Sequence, residues 1–248
     1  MNDYEFWSLR YQQQASWSKP TRDYILKQIS LPDHSNILEV GCGSLAVLNE
    51  FSSMEHHTYG LDIDLQILKF VNNQAAKPKI LNADGMQIPF QNEKFALTYC
   101  HYLLLWISDP IILLKEMARV TRKNGWLCCF AEPDYLARID FPAPMDQLGK
   151  MQNKSLAQQG VNLSCGRAIT SWLEEVNLSN ISWGIMGSHQ KLGNNSDLDS
   201  EWETTHRDLE KITSEKEIRK YRDFELISLS KPGRIQFIPT FYAYAQKL

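Results

Sequence analysis

The sequence predicts an α/β fold: a doubly wound, mostly parallel sheet with helices on both faces, preceded by a helical N-terminal segment. Three observations carry that expectation. Between residues 36 and 132, short apolar runs alternate with helical patterns, as right-handed βαβ units require. The first run passes directly into a Gly-x-Gly turn at Gly41-Cys42-Gly43. The next two runs each end on an acid, Asp62 and Asp84.

Taken in order, residues 1–30 are rich in aromatics (Tyr4, Phe6, Trp7, Tyr11, Trp17) and then place Tyr24, Ile25, Leu26 and Ile29 at helical spacing. The reading is one or two helices, the second starting near Pro20, with Pro32 soon after its end. Residues 36–40 read as a strand, then 45–53 as a helix. A strand over 58–63 leads to a helix over 65–73, and 79–83 is a third strand. A fourth strand over 95–100 precedes a helix near 111–121 that ends before Asn124-Gly125, and a fifth strand covers 126–131. Beyond it the reading is a helix over 143–159, another over 166–176, a strand over 181–186 and a longer aromatic strand over 234–246. Residues 201–223 hold seven acidic and six basic residues, read as a solvated helical face rather than a binding tail.

The 248 residues suffice for one large domain, and the composition is that of an ordinary globular chain. With 26 basic and 29 acidic residues the formal charge is -3, so no basic excess points to nucleic acid or an anionic membrane. No apolar stretch is long enough to suggest a membrane span, and the first residues lack the basic-then-apolar pattern of a signal peptide. The five cysteines are odd in number and follow no metal-ligand spacing. They read as free thiols in a reducing, cytoplasmic setting. Cys128 and Cys129 are adjacent in an apolar run, so a strand would aim them at opposite faces.

Glycine lets the backbone turn sharply and approach a ligand closely. At the C-terminal edge of a parallel sheet, that geometry serves a nucleotide or nucleoside, or is simply a tight βα turn. Asp62 stands 21 positions after Gly41, where a carboxylate reaches ribose hydroxyls. Asp64 sits at a helix start and reads as an N-cap. Asp84, before Gly85, either accepts from an adenine amine or stabilises its own turn. The stretch also fits G-x-G-x-x-A, so an NAD-dependent oxidoreductase is a competing reading. Against it, no tyrosine is followed four residues later by lysine. Glu39, two residues before the first glycine, suits a cationic ligand better than a pyrophosphate.

These motifs resemble those of the class I S-adenosylmethionine-dependent methyltransferases, of the small-molecule, type 11 kind. Ile37-Leu38-Glu39-Val40-Gly41-Cys42-Gly43 matches the first motif, Gly60-Leu61-Asp62-Ile63-Asp64 the ribose motif, and Ala83-Asp84-Gly85 with Ile88-Pro89-Phe90 the adenine motif. The likeness runs over residues 36–135, with a weaker echo to 186. It implies a Rossmann-like sheet ending in an antiparallel hairpin supplied by 181–186 and 234–246. It implies S-adenosylmethionine as cofactor, held by Glu39, Gly41, Gly43, Asp62, Ile63, Asp84, Gly85, Met86, His101 and Tyr11, with Arg22 on the methionine carboxylate. Departures are Leu45 at a usually small position, Ala96 for an aspartate, and Lys123-Asn124-Gly125 in place of a Pro-Gly-Gly-like turn.

Methyl transfer is an in-line displacement governed by orientation, with a base needed only for a protonated acceptor. The chain lacks the Asp/Asn-Pro-Pro-Tyr/Phe sequence associated with DNA amino-methylation and has no basic stripe for RNA, leaving a small-molecule acceptor. His101 is the candidate catalytic base, and Trp7, Trp17, Glu132 and Asp134 are candidate substrate residues. The expected organisation is a single domain over 1–248. Within it, 1–30 forms a lid, 36–135 the cofactor core and 136–248 the substrate side. A cofactor-binding scaffold or non-methylating enzyme on the same fold is the other class of function.

Overall fold

A computed structural model describes residues 3–71, 78–187, 196–229 and 234–248. The chain opens with one long helix, α1 (Asp3–Gln28). The core follows as β1 (Asn36–Val40), α2 (Leu48–Ser52), β2 (His57–Asp62), α3 (Leu65–Val71), β3 (Lys79–Asn82), β4 (Phe95–Cys100), α4 (Pro110–Val120) and β5 (Thr121–Pro133). Next come β6 (Ile139–Phe141), α5 (Met145–Gln158), α6 (Cys165–Glu175), β7 (Ser179–Ile185), α7 (Ser196–Leu209), α8 (Glu215–Leu229), β8 (Ile235–Phe237) and β9 (Thr240–Gln246).

The main sheet has seven strands in the order β3-β2-β1-β4-β5-β9-β7. The first five are parallel, and β9 runs antiparallel between β5 and β7. Each face carries its own core. Ile37, Leu97, Tyr99, Cys128 and Phe130 pack with Ile25 of α1 and with Leu48 and Phe51 of α2. Leu38, Val40, Leu127 and Cys129 pack with Leu113 of α4 and Leu173 of α6 on the other. Cys128 and Cys129 thus divide between the faces, as strand alternation requires. Asp109 caps α4 by accepting from the N–H groups of Ile111 and Ile112 (3.1 and 3.2 Å), with Pro110 in the first turn.

One expectation is resolved and two need correction. Residues 3–28 form one helix that runs through Pro20, where the backbone bond proline cannot make is outweighed by burial of Ala15, Arg22 and Ile25 along one face. The strand expected over 234–246 divides: β8 pairs with β6 in a separate two-stranded sheet, and only β9 joins the main one. Pro239 lies between them without an N–H for either ladder. The charged stretch 201–223 is not merely solvated. Leu209, Ile218 and Tyr221 pack with Met145 and Leu148 of α5 in a third apolar cluster beside the sheet. No helix among the described residues is long and apolar enough to cross a membrane.

Candidate functional site

The C-terminal ends of β1, β2 and β3 form one ledge. Gly41 and Gly43 adopt left-handed backbones (φ 73° and 44°), a conformation glycine takes without steric cost. The N–H groups of Gly41 and Cys42 donate to the Leu61 carbonyl (2.7 and 3.0 Å), folding the turn over the end of β2. A side chain at Gly41 would meet Leu103 at 2.7 Å. Gly85 is equally constrained, with Leu113 at 2.6 Å and Val40 at 2.8 Å from where its Cβ would lie.

Asp62 ties the ledge together. Its Oδ2 accepts from the Gly43 N–H and its Oδ1 from the Asp64 N–H, both at 2.8 Å. Each carboxylate oxygen has a second lone pair, so both remain competent to accept from a hydroxyl. Ile63, the next residue, is 72% exposed despite being a large apolar side chain, an open face beside the carboxylate. Asp64 caps α3 through the N–H groups of Gln66 and Ile67 (2.8 and 3.2 Å). Asp84 caps the short turn Gly85–Gln87 by accepting from Met86 N–H at 2.8 Å. Asn82 bonds to the carbonyls of Asp62 and Ile63 (both 2.9 Å), bringing the Asp84 corner to the Asp62 corner. At the turn itself, the buried Ser44 hydroxyl has no partner among the described residues.

Above the ledge lies α1. The Tyr11 ring rests 3.4 Å from where a Cβ of Gly43 would be, and Trp7 stacks on Tyr11 with centroids 6.0 Å apart. Burial, reinforced by the charges of Asp62 and Asp64, pushes the Tyr11 phenol up to about 12. Farther along α1, the Trp17 ring carries the Arg10 guanidinium at 4.7 Å.

Beneath it lies a buried polar cluster. Arg22 pairs with Glu50 (Nη2–Oε1 2.5 Å) and donates to the Ala15 carbonyl (2.8 Å) and to the Ser18 hydroxyl. Ser18 Oγ lies 2.7 Å from His101 Nε2. Burial, helped by the Arg22 charge, drops His101 to about 3. Glu39 is buried and accepts from the Tyr99 hydroxyl at 3.1 Å. Burial raises it to about 8, against the opposing effects of Tyr99 and Arg22.

The residues read from the sequence therefore separate into two groups. Gly41, Gly43, Asp62, Ile63, Asp84, Gly85, Met86, Tyr11 and Trp7 surround one ledge. The rest are placed otherwise. His101 is a poor base, because a desolvated imidazole near an arginine resists protonation and its Nε2 is engaged by Ser18. Arg22 is turned toward Glu50 and Ser18 instead of being free for a ligand carboxylate. Glu132 accepts from the N–H groups of Leu103 and Leu105 (3.0 and 3.4 Å) and faces the thiols of Cys100 and Cys165, so it secures the turn after β4. Burial raises it to about 7. Asp134 caps Ala137 N–H (3.1 Å) and pairs with Arg167 (Nη2–Oδ1 2.8 Å). Sequence reading missed Ser18 and Glu50, which carry no motif, and the Arg10–Glu201 pair, whose members are 191 positions apart.

A family model described as a methyltransferase domain matches residues 38–129, the span holding the glycine turn, Asp62 and Asp84. An uncharacterized methyltransferase of Schizosaccharomyces pombe is 25% identical over 173 residues, 63% of this chain and 61% of that protein. A demethylmenaquinone methyltransferase of Geobacillus kaustophilus is 29% identical over 117 residues, 44% and 50% of the two chains. The chain thus spans about half the length of the curated relatives it matches. Among solved structures, the phosphoethanolamine N-methyltransferase 2 of Haemonchus contortus, in complex with S-adenosyl-L-methionine, shares the fold. Its TM-score is 0.58 at 11% identity, covering 92% of this chain and 52% of that one.

Proposed function

We propose that this chain is a class I S-adenosylmethionine-dependent methyltransferase and that it transfers a methyl group from S-adenosylmethionine to a small-molecule acceptor. The observation that carries the reading is the Asp62 carboxylate, fixed by the Gly43 and Asp64 N–H groups with a lone pair left on each oxygen. A ribose diol presents two hydroxyl donors at the spacing of one carboxylate. The ledge fits the rest of the cofactor: Ile63 and Met86 offer apolar contact to a purine, Asp84 accepts from an exocyclic amine, and Gly41 and Gly43 admit the amino-acid portion. The unpartnered Ser44 hydroxyl supplies a further polar contact there.

When bound, the cofactor supplies a methyl carbon on a sulfonium, open to attack by an acceptor lone pair. The protein's contribution is placement and exclusion of water. Trp7 and Tyr11 close over the ledge and present aromatic faces, which suit a sulfonium cation. Helix α1 acts as the lid, residues 36–135 as the cofactor core and residues 136–248 as the substrate side. Ser18, Arg22, Glu50 and His101 dock the lid on the core. With His101 unprotonated and weakly basic, the reading rests on orientation of the acceptor and not on His101 as a base. The five buried thiols suit a reducing, cytoplasmic setting.

Incubation with S-adenosylmethionine labelled in the methyl group, together with metabolite extracts, should move label into a small molecule and release S-adenosylhomocysteine. Tight S-adenosylhomocysteine binding with no label transfer from any extract would favour a scaffold or non-methylating enzyme instead.

A further inference from the structure

Arg10 stands on the flank of α1 between the lid and α7. Its residue is only 7% exposed. The far end of the guanidinium is occupied: Nη1 and Nη2 both donate to the Glu201 carboxylate, and Nη1 also donates to Gln13 (2.9 Å). The side edge differs. Nε donates to no acceptor among the described residues. A guanidinium has two faces that match an oxyanion bidentately, one between Nη1 and Nη2 and one between Nε and Nη2. Glu201 uses the first and leaves the second.

A buried N–H without an acceptor is costly, so it marks a partner the chain does not itself provide. The place is informative. Tyr102, two residues past β4, and Tyr135, two residues past β5, are both raised by burial, and the Arg10 charge opposes the rise in each. These strand ends border the position where the transferred methyl would sit. The Arg10 plane is set by the Trp17 ring beneath it, which holds the unpartnered Nε edge in a fixed direction.

We infer that Arg10 recognises a carboxylate or phosphate group of the acceptor, holding it between Nε and Nη2. The inference rests on the methyl-transfer reading and narrows its substrate to anionic small molecules. Glu201 neutralises Arg10 in this structure. Its side chain is 28% exposed against 8% for Arg10, so the glutamate is free to turn to water when an anion arrives.

The test uses the Arg10 Nε–H resonance in the full-length protein saturated with S-adenosylhomocysteine, titrated separately with inorganic phosphate and with acetate. A saturable shift with one of them supports the inference and says which anion the edge prefers. Arg10→Lys keeps the charge but removes the fork, and should weaken that anion at least about tenfold by calorimetry. Glu201→Gln removes the competing carboxylate and should tighten it about three- to fivefold, the scale of a half-exposed ion pair. A purely structural Arg10–Glu201 pair would give no tightening. No saturable shift with either anion overturns the inference while leaving the methyl-transfer reading intact. A shift seen only without S-adenosylhomocysteine also overturns it, because the edge would then belong to the cofactor's own carboxylate. Failure of S-adenosylhomocysteine to bind at all is the separate result that defeats the function, and titration of the protein alone then decides Arg10.

Discussion

Replacing Asp62 by alanine removes two backbone-to-carboxylate bonds of 2.8 Å and the surface proposed to hold the ribose. The two losses are separable. Bonds to a charged acceptor contribute about 1.5–3 kcal/mol when shielded. Asp62 is half-buried, so each backbone bond belongs at or below the lower end, and the apoprotein should lose about 1–3 kcal/mol in total. Binding should suffer independently, because two ribose hydroxyls lose their acceptor and the Gly43 turn loses its anchor. A further ~1.5–3 kcal/mol corresponds to roughly 10- to 150-fold weaker S-adenosylhomocysteine binding. Asp62→Asn sharpens the test. The amide retains one accepting oxygen, but its NH2 group faces either the Gly43 or the Asp64 N–H, donor against donor. It should therefore bind no better than a few-fold above the alanine variant. Calorimetric titration with S-adenosylhomocysteine gives the affinities, and urea denaturation gives the stabilities. An alanine variant that binds within threefold of wild type, while folded, would refute the reasoning.

Three other substitutions test the packing, two at groups beside the ledge and one in α5. Glu39 is pushed up to about 8, so it favours its protonated form in the fold, and stability falls as pH rises from its ordinary 4.5 through about 8, at up to ~1.4 kcal/mol per pH unit. Glu39→Gln should match wild type near pH 5 and exceed it at pH 9 in urea melts; equal slopes would contradict this. His101, lowered to about 3, contributes stability that is present above its ordinary 6.5 and lost as pH falls toward 3. His101→Gln should flatten that acid limb and change turnover by less than about tenfold, whereas a hundredfold fall would restore the general-base role. Gly149 lies in α5, where a Cβ would collide with the buried Asp140 carboxylate and come within 2.8 Å of Arg138 Nε, the two partners of an ion pair. Gly149→Ala should cost about 1–3 kcal/mol despite alanine's better helix propensity, and a stabilised variant would contradict that packing.

The parallel half of the sheet and its glycine turn were legible because their signals are local. A continuous apolar strand, a glycine turn and an acid about twenty residues on are set by backbone geometry, and the ledge of Gly41, Gly43, Asp62 and Asp84 assembles at the strand ends as that spacing requires. The roles of His101, Arg22 and Glu132 were not legible, because a side chain's burial depends on what packs over it. Arg22 meets Glu50 from another helix, and Glu132 meets N–H groups beyond the end of the neighbouring strand. Pro20 misled for a related reason: helix propensity is a local preference, and burial of one face of α1 overrides it. The substrate side is least legible. The residues proposed to meet the acceptor come from α1, α7 and the turns after β4 and β5, and no short spacing joins them.

Hydrogen exchange with and without S-adenosylhomocysteine tests the central claim most directly, because it reports both where the ligand sits and whether α1 covers it. The account predicts added protection in peptides covering 41–46, 62–64 and 84–86, together with residues 4–24 of the lid, and no change in α8 over 215–229. Protection absent from all three strand-end segments, or confined to α8, would contradict it.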